Sequence, residues 1–404
     1  MPHFSAPRFS ELNPIFIPGP TNVPDTLRRA MDMQTRDHRA PDFKETLLPV
    51  LADTKKVFAT EDAEIILFPA SGTGGWEAAI TNTLSPGDKV LIGRYGMFSH
   101  RWIDMCERHG LEVEVVERPW GAGAPADAFA EILEADTEGT IRAVLVTHNE
   151  TATGVCSDIA AVRGALRSAR HDALLMVDCV SSLGCIPFEM DAWGVDIAIA
   201  GSQKGFMLNT GMAIVAVSPK ALAAMDTARL PRCFLDFRDM RNAYAQGGYP
   251  YTPPLQLIHG LRASLDMLFD EGLSAVYARH HRLAEGVRRA VAGWGMALVA
   301  HTPDLYSDTV TAILLPEGCD GNAFLNHAYS AYGVSFGAGL GELSGRAFRI
   351  GHLGALTEAM VLSGLATAEM AMADLDFPVT LGSGVAAAQD YYRATRSTAM
   401  RAAA

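Results

Sequence analysis

Short apolar runs alternate with amphipathic segments between residues 60 and 220. Most of the runs are rich in Val, Ile and Leu and contain few polar residues, as in strands that are covered on both faces. They are residues 64–70, 89–93, 112–117, 142–147, 174–179, 195–201 and 212–217. Segments of helical length lie between them, such as 99–109, 124–136 and 158–168. This alternation predicts an α/β fold with a mostly parallel sheet of seven strands.

The pattern changes in the last third of the chain. It predicts two consecutive helices across 254–293 with a break at Gly272, strands at 309–315 and 348–351, and helices near 321–332 and 355–374. This mixture is typical of a smaller α+β domain.

The change of pattern suggests how the chain is divided. We expect a large domain at 21–270 and a smaller domain at 271–404, with the N-terminal segment 1–20 packed on the smaller one. Residues 401–404 are expected to fray, because chain ends make few contacts.

Composition and charge exclude some classes of protein. The 404 residues are 49% hydrophobic and 20% charged, as in an ordinary globular protein. A formal net charge of −13 argues against binding to nucleic acid or anionic lipid, which requires basic patches. No apolar run reaches the roughly 18 residues that a membrane span needs. The first residues lack the basic start and apolar block of a secretory signal, so we expect a cytoplasmic protein.

The six cysteines show no CxxC pairing and lie mostly in apolar segments. Buried thiols in a reducing compartment therefore explain them better than disulfides or a metal site do. We expect no bound metal.

Chemically unusual residues follow several of the predicted strands, where α/β sheets bind ligands. Ser71-Gly72-Thr73-Gly74-Gly75 lies between a strand and a helix predicted to begin near Trp76. Small residues at a helix N-terminus suit a phosphate, although a plain turn explains them as well. The segment is neither GxGxxG nor a P-loop, which weakens nicotinamide and ATP hypotheses.

Two charged residues end apolar strands. Asp178 ends one run, where it either caps the following turn or holds a protonated ring nitrogen. Lys204 follows the next run, 26 residues later. A buried lysine with a lowered pKa is the usual Schiff-base nucleophile, whereas the alternative is a simple turn lysine.

A dense polar run occupies residues 147–154. His148 and Glu150 are candidate acid–base groups, but helix capping and loop hydrogen bonds explain them equally well. The order of phosphate loop, polar loop, acid and lysine matches what pyridoxal 5′-phosphate (PLP) requires: an anion site, a carboxylate for the ring nitrogen and an amine for the aldehyde.

Six motifs carry a resemblance to a known family. They are FIPGPTN (16–22), SGTGG (71–75), THNETATG (147–154), VDCVSSLG (177–184), GSQKG (201–205) and FRIG (348–351). With them, nearly the whole chain resembles the class V, fold-type I aminotransferases. It is most similar to the branch that uses glyoxylate, which contains aspartate–, serine– and alanine–glyoxylate enzymes.

The resemblance implies roles for residues around the cofactor. Lys204 matches the lysine that forms the Schiff base and moves the proton, and Asp178 matches the partner of the pyridine nitrogen. Phe98 falls at the ring-stacking position, where many relatives have Trp. The implied PLP site is completed by Ser71, Gly72, Thr73, Gly74, Gly75, Thr151, Val180 and Gln203.

The resemblance also implies substrate and subunit contacts. Arg349 matches the arginine that holds the substrate α-carboxylate, and its apolar neighbours independently favour a buried anion. Gly19 and Asn22 would form a wall of the substrate pocket. Tyr249 and Thr252 look like phosphate contacts from a second subunit, which implies a homodimer and leaves a larger oligomer open.

The predicted reaction is ping-pong transfer of an amino group from a small L-amino acid to glyoxylate. Local similarity favours aspartate as the donor, with serine or alanine as alternatives. Aspartate needs a second cation for its β-carboxylate, and the candidates are Arg36, Arg39, Arg101 and Arg232.

Other classes of protein explain less of the sequence. Cysteine desulfurases share the strand-end lysine, but they have His where this chain has Gln203 and Phe98; Cys319 is the only candidate thiol on a loop. An NAD-dependent oxidoreductase leaves Lys204 and Arg349 unexplained. A non-catalytic binding protein leaves the buried acid and lysine without a purpose.

Overall fold

A seven-stranded sheet forms the centre of the first half of the chain in the computed structural model, which describes residues 14–396. The strands up to residue 217 are β1 (Glu64–Phe68), β2 (Lys89–Arg94), β3 (Glu112–Glu117), β4 (Ile141–Thr147), β5 (Asn149–Glu150), β6 (Val155–Cys156), β7 (Leu174–Asp178), β8 (Ile197–Gly201) and β9 (Ala213–Val217). Strands β5 and β6 form a separate hairpin. The other seven are the seven predicted strands, so the sheet prediction is confirmed.

The large sheet is mostly parallel. Its strand order is β1-β9-β8-β7-β4-β2-β3. Strand β9 pairs antiparallel with both β1 and β8, and the remaining neighbours are parallel. The carboxyl ends of β1, β2, β4, β7 and β8 therefore meet at one edge.

Helices cover both faces of this sheet because the side chains alternate along each strand. Ile65 and Leu67 of β1 pack into one apolar core, and Ile66 and Phe68 pack into another. The helices around the sheet are α1 (Asp25–Met31), α2 (Phe43–Phe58), α3 (Gly72–Thr83), α4 (Met97–Arg108), α5 (Ala126–Ala135), α6 (Ile159–Ser168), α7 (Met190–Trp193), α8 (Pro219–Ala224), α9 (Phe237–Ala245) and α10 (Leu255–Glu271).

The rest of the chain forms a four-stranded antiparallel sheet and four helices. The elements are α11 (Leu273–Gly293), β10 (Ala297–Leu298), β11 (Val310–Leu314), α12 (Gly321–Tyr332), β12 (Gly337–Ala338), β13 (Ala347–Gly351), α13 (Glu358–Ala373) and α14 (Ser383–Ala394). The order is β10-β11-β13-β12. Gly272 separates α10 from α11 with a φ of +84°, which confirms the predicted break. Residues 401–404 lie outside the described residues.

The N-terminal segment 14–20, which we call the strap, packs on the four-stranded sheet. Phe16 N–H donates to Ser335 O (2.9 Å), and Gly351 N–H donates to Phe16 O (2.6 Å). The Phe16 ring stacks on Phe336 with centroids 5.8 Å apart. Residues 1–13 lie outside the described residues. Among residues 14–396, none of the helices combines the length and apolar composition that crossing a membrane requires.

Candidate active site

A cavity of about 340 Å³ opens at the sheet edge where the parallel strands end. It brings together predicted site residues from six separate segments of the chain. They are Gly19, Ser71, Gly72, Thr73, Phe98, Thr151, Asp178, Val180, Gln203 and Lys204.

Lys204 lies at the floor of this cavity, three residues after β8. Its side chain is buried, and its Nζ donates to Pro18 O of the strap. Gly19 has a φ of +112°, and a Cβ there would collide with the Lys204 side chain. Burial lowers the pKa of Lys204 to about 8, and the positive charge of Arg349 acts in the same direction. The lysine is therefore closer to the neutral, nucleophilic form than an exposed lysine is.

Asp178 is the last residue of β7 and is buried. Its Oδ1 accepts from Val180 N–H (2.9 Å), so it caps the turn that follows, one of the two predicted roles. Burial raises the pKa of Asp178 to about 7, and Glu150 adds repulsion. A protonated ring nitrogen beside the carboxyl would supply the positive charge that favours its ionised form.

The glycine-rich segment belongs to helix α3 instead of to a loop. Ser71 is the extended N-cap, and α3 begins at Gly72, four residues before the predicted start near Trp76. Low helix propensity of glycine predicts a loop here, but packing requires glycine: a Cβ on Gly75 would lie 2.6 Å from Ile199 Cγ2. Gly72 and Thr73 of the first turn line the cavity, and the unpaired N–H groups at the start of a helix suit a phosphate.

Thr151 presents a hydroxyl to the cavity from the turn after β5. Its Oγ1 donates to Ser181 Oγ (2.8 Å), and Ser181 Oγ donates to Asn149 O (2.9 Å). These two hydrogen bonds fix the Thr151 hydroxyl beside the turn that follows Asp178.

Glu150 is a helix cap. Its buried carboxylate accepts from the backbone N–H groups of Phe98, Ser99 and Ala152 at 3.0–3.2 Å. Burial raises its pKa, and these hydrogen bonds oppose the rise. Glu150 thereby holds the start of α4, including Phe98, against the cavity. The geometry agrees with the capping hypothesis.

His148 lies behind the cavity and does not line it. Its Nδ1 is 2.9 Å from Ser182 Oγ, and its ring packs against Phe188 and Trp193. Burial lowers its pKa to about 4, so His148 is neutral. These contacts agree with the loop hydrogen-bonding alternative.

Arg349 connects the four-stranded sheet to the site. It lies on β13, where Nε donates to Ala338 O (2.7 Å) and Nη1 donates to Thr151 O (2.9 Å). Burial lowers its pKa to about 10, and Glu150 opposes this shift. The guanidinium thus stays charged at neutral pH next to a cavity residue.

Five further predicted site residues do not line the cavity. Gly74 and Gly75 lie within α3, where both donate to Ser71 O. The Asn22 carboxamide bonds both backbone groups of Ile15 (2.8 and 2.9 Å) and so holds the strap. Tyr249 donates to Leu67 O, and Thr252 is exposed; neither lines the cavity of its own chain.

Sequence reasoning missed Trp76, Ser181 and Thr210, which line the cavity together with Pro20 of the predicted pocket wall. Ser181 lies three residues after Asp178, and Trp76 lies one turn into α3. Both lie close in sequence to predicted site residues, and this closeness was the signal that could have identified them.

In the described part of the chain, no three His, Cys, Asp or Glu side chains cluster as a metal site would require. All six cysteines are free thiols. Cys233 is exposed and Cys156 and Cys319 are half-buried, so the expectation of buried thiols is wrong for these three. Cys319 packs against the core of the four-stranded sheet, away from the cavity.

The cavity residues fit PLP. The first turn of α3 suits a phosphate, Asp178 suits a ring nitrogen, and Lys204 suits an aldehyde. Gln203 Oε1 is buried without a hydrogen-bond partner among the described residues, as expected of a group that contacts a ligand.

Comparisons with known proteins agree with this chemistry. The family described as "Aminotransferase class-V" matches residues 32–325. The chain is 63% identical to an L-aspartate–glyoxylate aminotransferase of Paracoccus denitrificans (97% of this chain, 99% of that one). It is 54% identical to a serine–glyoxylate aminotransferase of Hyphomicrobium methylovorum (95% and 96%).

A solved structure has the same fold. Pyridoxamine–pyruvate aminotransferase from Mesorhizobium loti superposes with a TM-score of 0.89 at 28% identity, covering 96% of this chain and 99% of that one. Family, fold and cavity thus point to the same cofactor and reaction type. The chain belongs to the class V aminotransferases, whose cofactor is PLP.

Proposed function

We propose that this enzyme transfers the amino group of L-aspartate to glyoxylate, giving oxaloacetate and glycine. The observation that carries the reaction type is the meeting of Lys204, Asp178 and the α3 N-terminus around one cavity. The acceptor is supported by two close relatives that are glyoxylate aminotransferases, and the donor by the 63% identity to the aspartate enzyme.

PLP supplies an aldehyde that condenses with amines and a ring that withdraws electrons. The first turn of α3 and Gln203 would hold its phosphate, and Phe98 would cover its ring. Val180 and Thr151 complete the walls. Asp178 would keep the ring nitrogen protonated, since the two opposite charges stabilise each other in a buried place.

Lys204 would move the proton. Its amine is buried and its lowered pKa favours the neutral form, so it can take a proton from the substrate α-carbon and deliver it to the cofactor carbon C4′, on the other side of the amino nitrogen. Arg349 would bind the α-carboxylate with its planar fork and so fix the orientation of that C–H bond. The strap, through Gly19, covers Lys204 and limits access of water.

Serine is the second candidate donor, because the 54% relative is a serine–glyoxylate enzyme. A donor panel decides between them: kcat/KM is measured for L-aspartate, L-serine and L-alanine with glyoxylate held constant. We expect aspartate to give the highest value. A higher value for serine would reverse the donor assignment, and no turnover with glyoxylate would refute the acceptor.

The Lys204→Ala variant tests the reaction type in the same assay. It should lose the borohydride-sensitive visible absorbance of the wild-type enzyme and nearly all turnover. Normal turnover by Lys204→Ala would refute the central role of this lysine.

We further propose a cytoplasmic homodimer. Free thiols support a reducing compartment. Phe234 is exposed and stacks on half-buried Tyr251, next to Thr252, with ring centroids 4.8 Å apart, which supports a subunit contact there. Tyr249 and Thr252 would then complete the phosphate site of the partner subunit.

A further inference from the structure

Arg101 is an exposed arginine beside the cavity without a carboxylate partner. It lies one helical turn after Phe98 on α4, and its guanidinium carbon is 5.5 Å from the centroid of the Phe98 ring. Phe98 itself lines the cavity. Within residues 14–396, the Arg101 side chain forms no ion pair or hydrogen bond, whereas Arg108 on the same helix pairs with Asp104.

The charge of Arg101 acts on the site. Together with burial, it lowers the pKa of Arg349, so the two guanidinium groups repel each other. The carboxylate of Glu150 opposes this shift, but it is buried and already accepts from three backbone N–H groups. Arg101 and Arg349 therefore place two positive charges near the cavity, and within residues 14–396 no carboxylate is paired with Arg101.

Two of the other three candidate cations are already paired, and the third, Arg39, is exposed and does not line the cavity. Arg232 Nη1 donates to the carbonyls of Thr81 and Leu230, and its Nε lies 3.5 Å from Asp236. Arg36 pairs with Asp42 at 3.2 Å. Neither of these two side chains has a hydrogen bond or ion pair with a described residue that lines the cavity.

We propose that Arg101 binds the side-chain carboxylate of a dicarboxylic amino donor while Arg349 binds its α-carboxylate. This inference rests on the proposed function. A donor with two carboxylates would pair both guanidinium groups, and the repulsion between them would become attraction to the substrate. Phe98 would hold the stem of Arg101 in place, because guanidinium groups stack on aromatic faces. Arg101 is thus a specificity-determining residue.

The test compares Arg101→Gln and Arg101→Lys with the matched control Arg108→Gln. The readout is the ratio of kcat/KM for L-aspartate to kcat/KM for L-alanine. Both donors share the amino group and α-carboxylate, so any indirect effect through Phe98 or Arg349 cancels in this ratio. We expect Arg101→Gln to lower the ratio about 10- to 100-fold, the size expected for a lost charge-assisted hydrogen bond. Arg101→Lys should recover part of it, and Arg108→Gln should leave it unchanged.

A binding measurement that needs no turnover accompanies the kinetics. Succinate and propionate are aspartate and alanine without the amino group. Their dissociation constants for the PLP-loaded enzyme are measured by calorimetry. Arg101→Gln should raise the dissociation constant of succinate about 10- to 100-fold more than that of propionate.

The failures of the two proposals are distinguishable. If the wild-type enzyme prefers serine to aspartate, the donor assignment fails, and the succinate measurement still decides the role of Arg101. If Arg101→Gln keeps both the kinetic ratio and the relative affinity for succinate, the proposal for Arg101 is overturned.

Discussion

Burial of Lys204 makes its amine more reactive and destabilises the folded protein. A charged amine that is taken out of water is destabilised, and this lowers the pKa of Lys204 from 10.5 to about 8. The folded state therefore prefers the neutral lysine more than the unfolded chain does. This cost is fully present below about pH 8, shrinks as the pH rises and vanishes above 10.5.

Lys204→Met should consequently stabilise the cofactor-free protein. Methionine fills a similar volume without a charge, and loss of the hydrogen bond to Pro18 offsets part of the gain. We expect about 1–3 kcal/mol more stability at pH 7. The measurement is the free energy of unfolding in urea at pH 7 and pH 10. The difference from wild type should shrink at pH 10; an equal difference at both values would contradict the explanation.

Some of the site residues can be predicted from the sequence alone, and others cannot. Asp178 and Lys204 are conspicuous because charged residues that end apolar strands need a reason. The contacts of Glu150 and Asn22 are not predictable, because they depend on which backbone N–H groups fold next to these side chains. Arg101 was one candidate among four, and only its neighbours distinguish it.

At the scale of elements, the hydrophobic pattern predicts the interior better than the ends. All seven strands of the large sheet and the break at Gly272 are recovered, because most of these strands are buried on both faces and leave a strong signal; only β3 is half-buried. The start of α3 is misplaced, since its glycines oppose helix formation locally and packing against β8 overrides them. Helix α14, at Ser383–Ala394, was missed; its role is evident only where Tyr392 packs over Gly286 of α11.

The first turn of α3 gives a prediction at this scale. Gly75→Ala brings a Cβ within 2.6 Å of Ile199 Cγ2, so α3 must shift from β8. We expect a loss of about 1–3 kcal/mol in unfolding free energy and weaker PLP binding. Gly164→Ala is the control: it lies in α6, and a Cβ there meets nothing within 4 Å. Unchanged PLP affinity in Gly75→Ala would show that the position of this turn is unimportant.

At the scale of the whole molecule, the site depends on distant parts of the chain. The large sheet contributes the acid and the lysine, the four-stranded sheet contributes Arg349, and the strap covers Lys204. The proposed dimer would add Tyr249 and Thr252. Neither the bond from Arg349 to Thr151 O nor the strap contact could be predicted from periodicity, because both join residues far apart in sequence.

Subunit mixing tests the dimer. Lys204→Ala and the double variant Tyr249→Phe/Thr252→Val should each be nearly inactive alone. In a mixed dimer, one site has an intact Lys204 and an intact Tyr249 from the partner subunit. Unfolding and refolding the two together should therefore restore activity. If mixed dimers form but activity does not recover, Tyr249 and Thr252 act within their own chain.

The fit of Gly19 over Lys204 limits how the enzyme can be re-engineered. Any side chain at position 19 would need both the space of the lysine and a backbone conformation that L-residues rarely adopt. Randomising this position to broaden substrate range would therefore yield mostly inactive clones. Variant libraries are better directed at Phe98, which lines the cavity, and at Arg101, which is exposed. When N-terminal segments are exchanged between relatives, Pro18 and Gly19 need to stay together.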